Sequence, residues 1–95
     1  MSAYMIINLD VKDAAAFEAY KVAVPAVIGK YGGEPLVRGG ETEVVEGDWR
    51  PAQLVLFRFP DLRSIRAFLD APEYQPLKAL RQRVAYTEVV AAEGL

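Results

Sequence analysis

Residues 31–59 read YGGEPLVRGGETEVVEGDWRPAQLVLFRF, and the fold turns on how this stretch is parsed. Gly32-Gly33 ends the helix before it, because glycine takes the left-handed cap conformation without a Cβ penalty. Residues 35–38 then read as a strand, Gly39-Gly40 interrupts it as a bulge or bend, and residues 41–46 resume it. Proline at its start and charges along it suit a sheet edge. Gly47-Asp48-Trp49-Arg50-Pro51 is turn chemistry. Residues 53–59, QLVLFRF, form the most apolar strand of the chain and belong in the middle of a sheet. Two strands joined by such a turn predict an antiparallel hairpin.

Working outward, residues 4–9 (YMIINL) are a nearly continuous apolar run that predicts another central strand, with Asn8 its one polar interruption. Asn8 either bonds backbone at a strand end or aims a polar group into a cavity. Asp13 is suited to cap a helix. Phe17, Tyr20, Val24, Val27, Ile28 and Tyr31 then recur at three- and four-residue steps as one apolar stripe. Pro25 removes a backbone donor within that helix, yet the stripe continues in phase past it, which predicts one kinked helix rather than two. Downstream of residue 59, Asp61 or Ser64 caps a helix with Leu62, Ile65, Phe68 and Leu69 inward. Asp70-Ala71-Pro72 breaks it, and residues 73–84 form another helical segment with Pro76 in its first turn. Residues 86–92 alternate as a last strand.

The order β-α-β-β-α-α-β is the split βαβ pattern of a ferredoxin-like α+β domain, here a single domain over residues 1–95. Right-handed crossovers put the first and third strands at the centre and the second and fourth at the edges, with helices on one face only. The other face needs cover, and a second copy of the same sheet supplies it. Apolar residues make up 53% of the chain, more than a small monomer readily buries, so a homodimer is expected.

Composition excludes several chemistries. The chain has no cysteine and no histidine, so a disulfide, a thiolate metal site and any histidine-based triad are ruled out. No metal and no cofactor are implied. A net charge of −2 argues against nucleic acid as a partner. No apolar run approaches the roughly 20 residues that span a bilayer, and no signal peptide is visible, so a cytoplasmic protein with no membrane partner is expected.

Several motifs together carry a resemblance over nearly the whole chain. Tyr31-Gly32-Gly33, Val37-Arg38-Gly39-Gly40, Glu46-Gly47 and Pro72-Glu73-Tyr74 resemble the uncharacterised family catalogued as domain of unknown function 1330. The resemblance implies a ferredoxin-like fold of the dimeric α+β barrel superfamily. That group includes cofactor-free monooxygenases, haem-degrading enzymes, dehalogenase-type enzymes and proteins with no known activity, so it implies no particular reaction.

Five residues are candidates for a ligand site. Arg38 offers a planar donor fork that matches a carboxylate or phosphate, beside glycines that allow close approach. The competing reading pairs it with Glu43 or places it at a dimer interface. Trp49 either lids a pocket or covers the hairpin end. Tyr74 either donates to a substrate oxygen or ties down a helix junction. Arg81 falls on the inner side of the last helix and needs a partner there. Asn8 completes the set as a cavity-lining amide. Tyr20 and Tyr31 read as core, and Glu41 and Glu43 as solvated edge charges. Three functions are consistent with this. One is a homodimer holding a small organic anion or aromatic molecule between sheet and helices. A second is a cofactor-independent enzyme, monooxygenase- or isomerase-like, on a small carbonyl or aromatic substrate. The third is a purely structural dimer.

Overall fold

The structure, a computed structural model, describes residues 1–95. Its elements are β1 (Ala3–Val11), α1 (Ala14–Lys30), β2 (Glu34–Arg38), β3 (Leu54–Phe59), α2 (Leu62–Asp70), a turn of 3-10 helix (Pro72–Tyr74), α3 (Gln75–Val84) and β4 (Ala85–Glu93). The sheet runs β2-β3-β1-β4, antiparallel throughout. The two most apolar strands are therefore central, as the sequence predicts, and the fold is the ferredoxin-like α+β arrangement. No helix is long and apolar enough to cross a membrane.

Local chemistry starts and stops the helices where expected. Asp13 accepts from the Ala16 amide at 3.1 Å, and Asp61 accepts from both the amide (2.7 Å) and hydroxyl (2.8 Å) of Ser64. These bonds satisfy helix amides that have no partner within the helix. Helix α1 runs through Pro25 as a single helix. At its end Gly32 takes φ +84°, and a Cβ on Gly33 would sit 2.5 Å from Ile28 Cγ2 and 2.6 Å from Phe59 Cζ. The turn after α1 can thus press against β3 only because residue 33 has no side chain.

Two expectations for the edge strand are corrected. The bulge lies between Pro35 and Val37, where Leu36 is the extra residue, and the bend at Gly39 ends the strand instead of interrupting it. Residues 41–46 do not resume the strand. Gly39 turns the chain out at φ +71°, and its amide bond to the Leu54 carbonyl (3.0 Å) is the last link to β3. Beyond it no strand lies opposite, and Val45, at 92% exposed, packs on nothing. The connection between β2 and β3 is a long loop instead of a tight turn.

All three helices cover one face of the sheet. Ala3, Met5 and Phe59 meet Val24 and Ile28 of α1, Ile65 and Phe68 of α2, and Tyr74 in the main core. A smaller cluster joins Phe17, Val84 and Ala85, with Leu9 and Val11 packed against it. Outside the core, Glu73 accepts from Lys30 Nζ and from the Tyr31 hydroxyl (3.0 Å), tying the 3-10 turn to the end of α1. The opposite sheet face is uncovered. By strand alternation it carries Tyr4, Ile6, Asn8, Leu56, Tyr86 and Val90. Tyr86 and Val90 are exposed there.

Candidate functional site

Strands β1, β3 and β4 keep their alternation past the main core, so Ile7, Leu9, Val55, Phe57, Thr87 and Val89 continue on the helix side. Helix α1 spans this region while packing chiefly on α3. A cavity of about 480 Å³ remains between them, lined mainly by apolar side chains. That is the size and character of a small-molecule site.

The polar groups in it come from four directions. Arg81, from α3, is 8% exposed; its Nη1 donates to Thr87 Oγ1 at 2.8 Å, and its buried Nε has no partner. Tyr20, from α1, shares a 2.8 Å hydroxyl contact with Tyr74. Arg38 on β2 and Gln53 before β3 reach the wall from the sheet edge, and Glu18 and Lys21 from α1. Burial, reinforced by Tyr74, pushes the Tyr20 hydroxyl well above the usual tyrosine range, against a smaller opposing pull from Arg81. Tyr20 is therefore a proton-bearing group and a poor base. None of the four ion pairs, Lys12–Asp10, Lys21–Glu18, Lys30–Glu73 and Arg58–Glu34, includes Arg38 or Arg81.

Of the five residues singled out from the sequence, the structure brings Arg38, Tyr74 and Arg81 to this one cavity. The ring of Tyr74 is buried in the main core, and its hydroxyl meets that of Tyr20. Asn8 and Trp49 lie elsewhere. Asn8 is on the uncovered face, where its amide donates to Glu88 (3.0 Å) and its carbonyl accepts from the Ala52 backbone (3.1 Å). It anchors the end of the loop and does not line the cavity. Trp49 is 57% exposed within that loop and does not line this cavity. Glu43 makes no pair with Arg38.

Sequence reasoning missed Tyr20, Thr87 and Gln53. The available signal was Tyr20 itself: a hydroxyl on an apolar stripe needs a partner when it is buried. Its partner lies 54 positions away, so the pair becomes visible only once α1 is placed over the 3-10 turn.

The model of the family described as Domain of unknown function (DUF1330) matches residues 2–95. No curated protein matches the sequence. Solved structures of similar shape include a protein of unknown function from Rhodopseudomonas palustris, with a TM-score of 0.78, 17% identity, and coverage of 99% of this chain and 82% of that one. Another is SnoaB, a cofactor-independent oxygenase from Streptomyces nogalater, with a TM-score of 0.66, 16% identity, and coverage of 99% and 93%. At such identities the likeness shows a shared ferredoxin-like fold.

Proposed function

The chain belongs to the DUF1330 family of domains of unknown function, and on that premise we propose, from the site itself, that it is a homodimer binding a small organic acid in the cavity between sheet and helices. One observation carries this reading: Arg81 is a buried guanidinium with an unpartnered Nε and no carboxylate beside it, at the wall of an apolar cavity. A buried charge without a counter-charge is costly, and an acid bound there supplies one through charge-assisted hydrogen bonds. The aliphatic and aromatic lining suits an apolar body behind the acid group.

Calorimetric titration with benzoate and heptanoate tests it. Hydrogen bonds to charged groups contribute about 1.5–3 kcal/mol, so Arg81→Met weakens binding by roughly ten- to a hundredfold. The same substitution leaves the melting temperature nearly unchanged, since an apolar residue of similar volume replaces an incompletely satisfied ion. Equal affinity in the two proteins would overturn the reading. The homodimer rests on the uncovered face bearing Ile6, Leu56, Tyr86 and Val90. Light scattering at micromolar concentration should give twice the chain mass, and a single-chain mass would refute it.

A second reading is favoured by the hydroxyl pair. Tyr20 and Tyr74 place a held proton in the same cavity as Arg81, an arrangement that would stabilise an enolate or phenolate during cofactor-independent turnover. SnoaB, a cofactor-independent oxygenase, has the same fold at 16% identity. Turnover of a phenolic or carbonyl substrate that Tyr74→Phe abolishes, while acid binding persists, would select this reading over simple binding.

A further inference from the structure

Resting on the acid-binding reading of this cavity, we propose that its ligand is a dicarboxylate, with one carboxylate at Arg81 and the other at Arg38. The lining contains three cations, Lys21, Arg38 and Arg81, and one carboxylate, Glu18, within a chain whose net charge is −2. The single carboxylate is already engaged, since Glu18 pairs with Lys21 at 3.6 Å. Both arginines are left without a carboxylate.

The sheet register sets the two arginines at opposite ends. Arg38 pairs with Val55, Val55 with Ile7, and Ile7 with Val89, one row across all four strands. Thr87, which holds Arg81, lies two residues from Val89 on β4. Three strand spacings of about 4.8 Å separate the β2 and β4 ends of that row, or roughly 14 Å at the backbone. Between them the floor is aliphatic: Val55, Ile7 and Val89, with Leu9 alongside. A ligand with an apolar middle and an acid at each end matches this pattern, whereas a monoacid satisfies one arginine and leaves the other unanswered. Arg81 is buried and Arg38 exposed, so the Arg38 contact contributes less and is screened by salt.

The test is a calorimetric cycle on the full chain, using heptanoate and pimelate as probes with wild type and Arg38→Gln. Position 38 is exposed on an edge strand, and unchanged thermal melting will confirm that the variant folds. An exposed ion pair contributes up to about 1 kcal/mol, equivalent to about fivefold in affinity. Arg38→Gln should therefore weaken pimelate about fivefold relative to heptanoate, leave heptanoate unchanged, and lose this difference at high salt. If Arg38→Gln shifts the two acids equally or not at all, while Arg81→Met weakens binding of both by roughly ten- to a hundredfold, the dicarboxylate assignment is overturned and the acid site stands. If wild type binds neither acid, both readings fall.

Discussion

The same strands behave differently at the two ends of the helix-covered face. Ala3, Met5 and Phe59 are sealed beneath Ile65 and Phe68 of α2, with Phe68 only 1% exposed. A few residues along, Ile7 and Leu9 of β1 and Val55 and Phe57 of β3 are half-buried and floor the cavity. The chemistry of the side chains hardly changes between these ends. What changes is the cover: at the sealed end α2 adds Ile65 and Phe68 to Val24 and Ile28 of α1, whereas over the hollow end Phe17 and Tyr20 of α1 line the wall. Atoms facing a void lose the dispersion contacts that a filled core provides. The comparison thus assigns most of the packing energy to the sealed end and leaves the hollow end free to take a ligand. Tyr74 joins the two, its ring 4.3 Å from Phe68 by centroids and its hydroxyl on Tyr20.

The largest effect expected from this difference is in paired truncations. Phe68→Ala removes a ring that is only 1% exposed, although its edge reaches the cavity, and should cost about 3–5 kcal/mol. Phe57→Ala should cost roughly half that, because one side of the ring already faces the cavity. Urea denaturation at one fixed protein concentration measures both, which holds any contribution of self-association constant. Equal costs would break the distinction between the ends.

A smaller effect comes from adding an atom to the sealed end. A Cβ on Gly33 would meet Ile28 Cγ2 at 2.5 Å and Phe59 at 2.6 Å, while one on Gly40 meets nothing within 4 Å. Gly33→Ala should destabilise by about 1–3 kcal/mol, and Gly40→Ala should stay within about 0.5 kcal/mol of wild type. A neutral Gly33→Ala in thermal melts would mean that the turn after α1 yields easily and that the sealed end is softer than described.

The sequence discloses the sealed end more readily than the hollow one, for physical reasons. Continuous apolar runs in β1 and β3 require burial and central placement whatever covers them, and the carboxylates of Asp13 and Asp61 start helices through bonds to residues only three positions away. Those are local or one-body signals. A cavity is an absence produced by how elements of distant sequence fail to meet, and no residue encodes it alone. Arg81 and Tyr74 could be flagged because a charge and a hydroxyl on inward-facing positions demand partners. Asn8 was expected beside them because β1 is apolar on both faces, so its periodicity does not tell which face is covered; the register puts Asn8 opposite Glu88, on the bare side. The strand reading of residues 41–46 rested on the same kind of pattern and failed for lack of a neighbour to pair with. Trp49, in the same loop, stays more than half exposed.

The smallest effects are pH-dependent, and they should divide the two ends by sign. At the sealed end, Asp61 is held below the usual carboxylate range by its bonds from the Ser64 hydroxyl and amide, and Glu73 by its bond from Lys30, its backbone bond and its bond from Tyr31. A depressed folded-state value contributes stability that is present above the unfolded value, near pH 4, and is lost as the pH falls through the lower folded value. At the hollow end, Tyr20 is displaced the other way by burial. Its contribution is complete below the unfolded value near pH 10 and declines as the pH rises beyond it, because the unfolded chain releases a proton that the folded chain retains. Stability profiled by urea midpoints should therefore show an acid limb flattened by Asp61→Asn, which keeps a capping acceptor, and an alkaline limb flattened by Tyr20→Phe. If Tyr20→Phe leaves the alkaline limb intact, the hydroxyl pair is open to solvent, and the proton it is argued to hold in the cavity is not held.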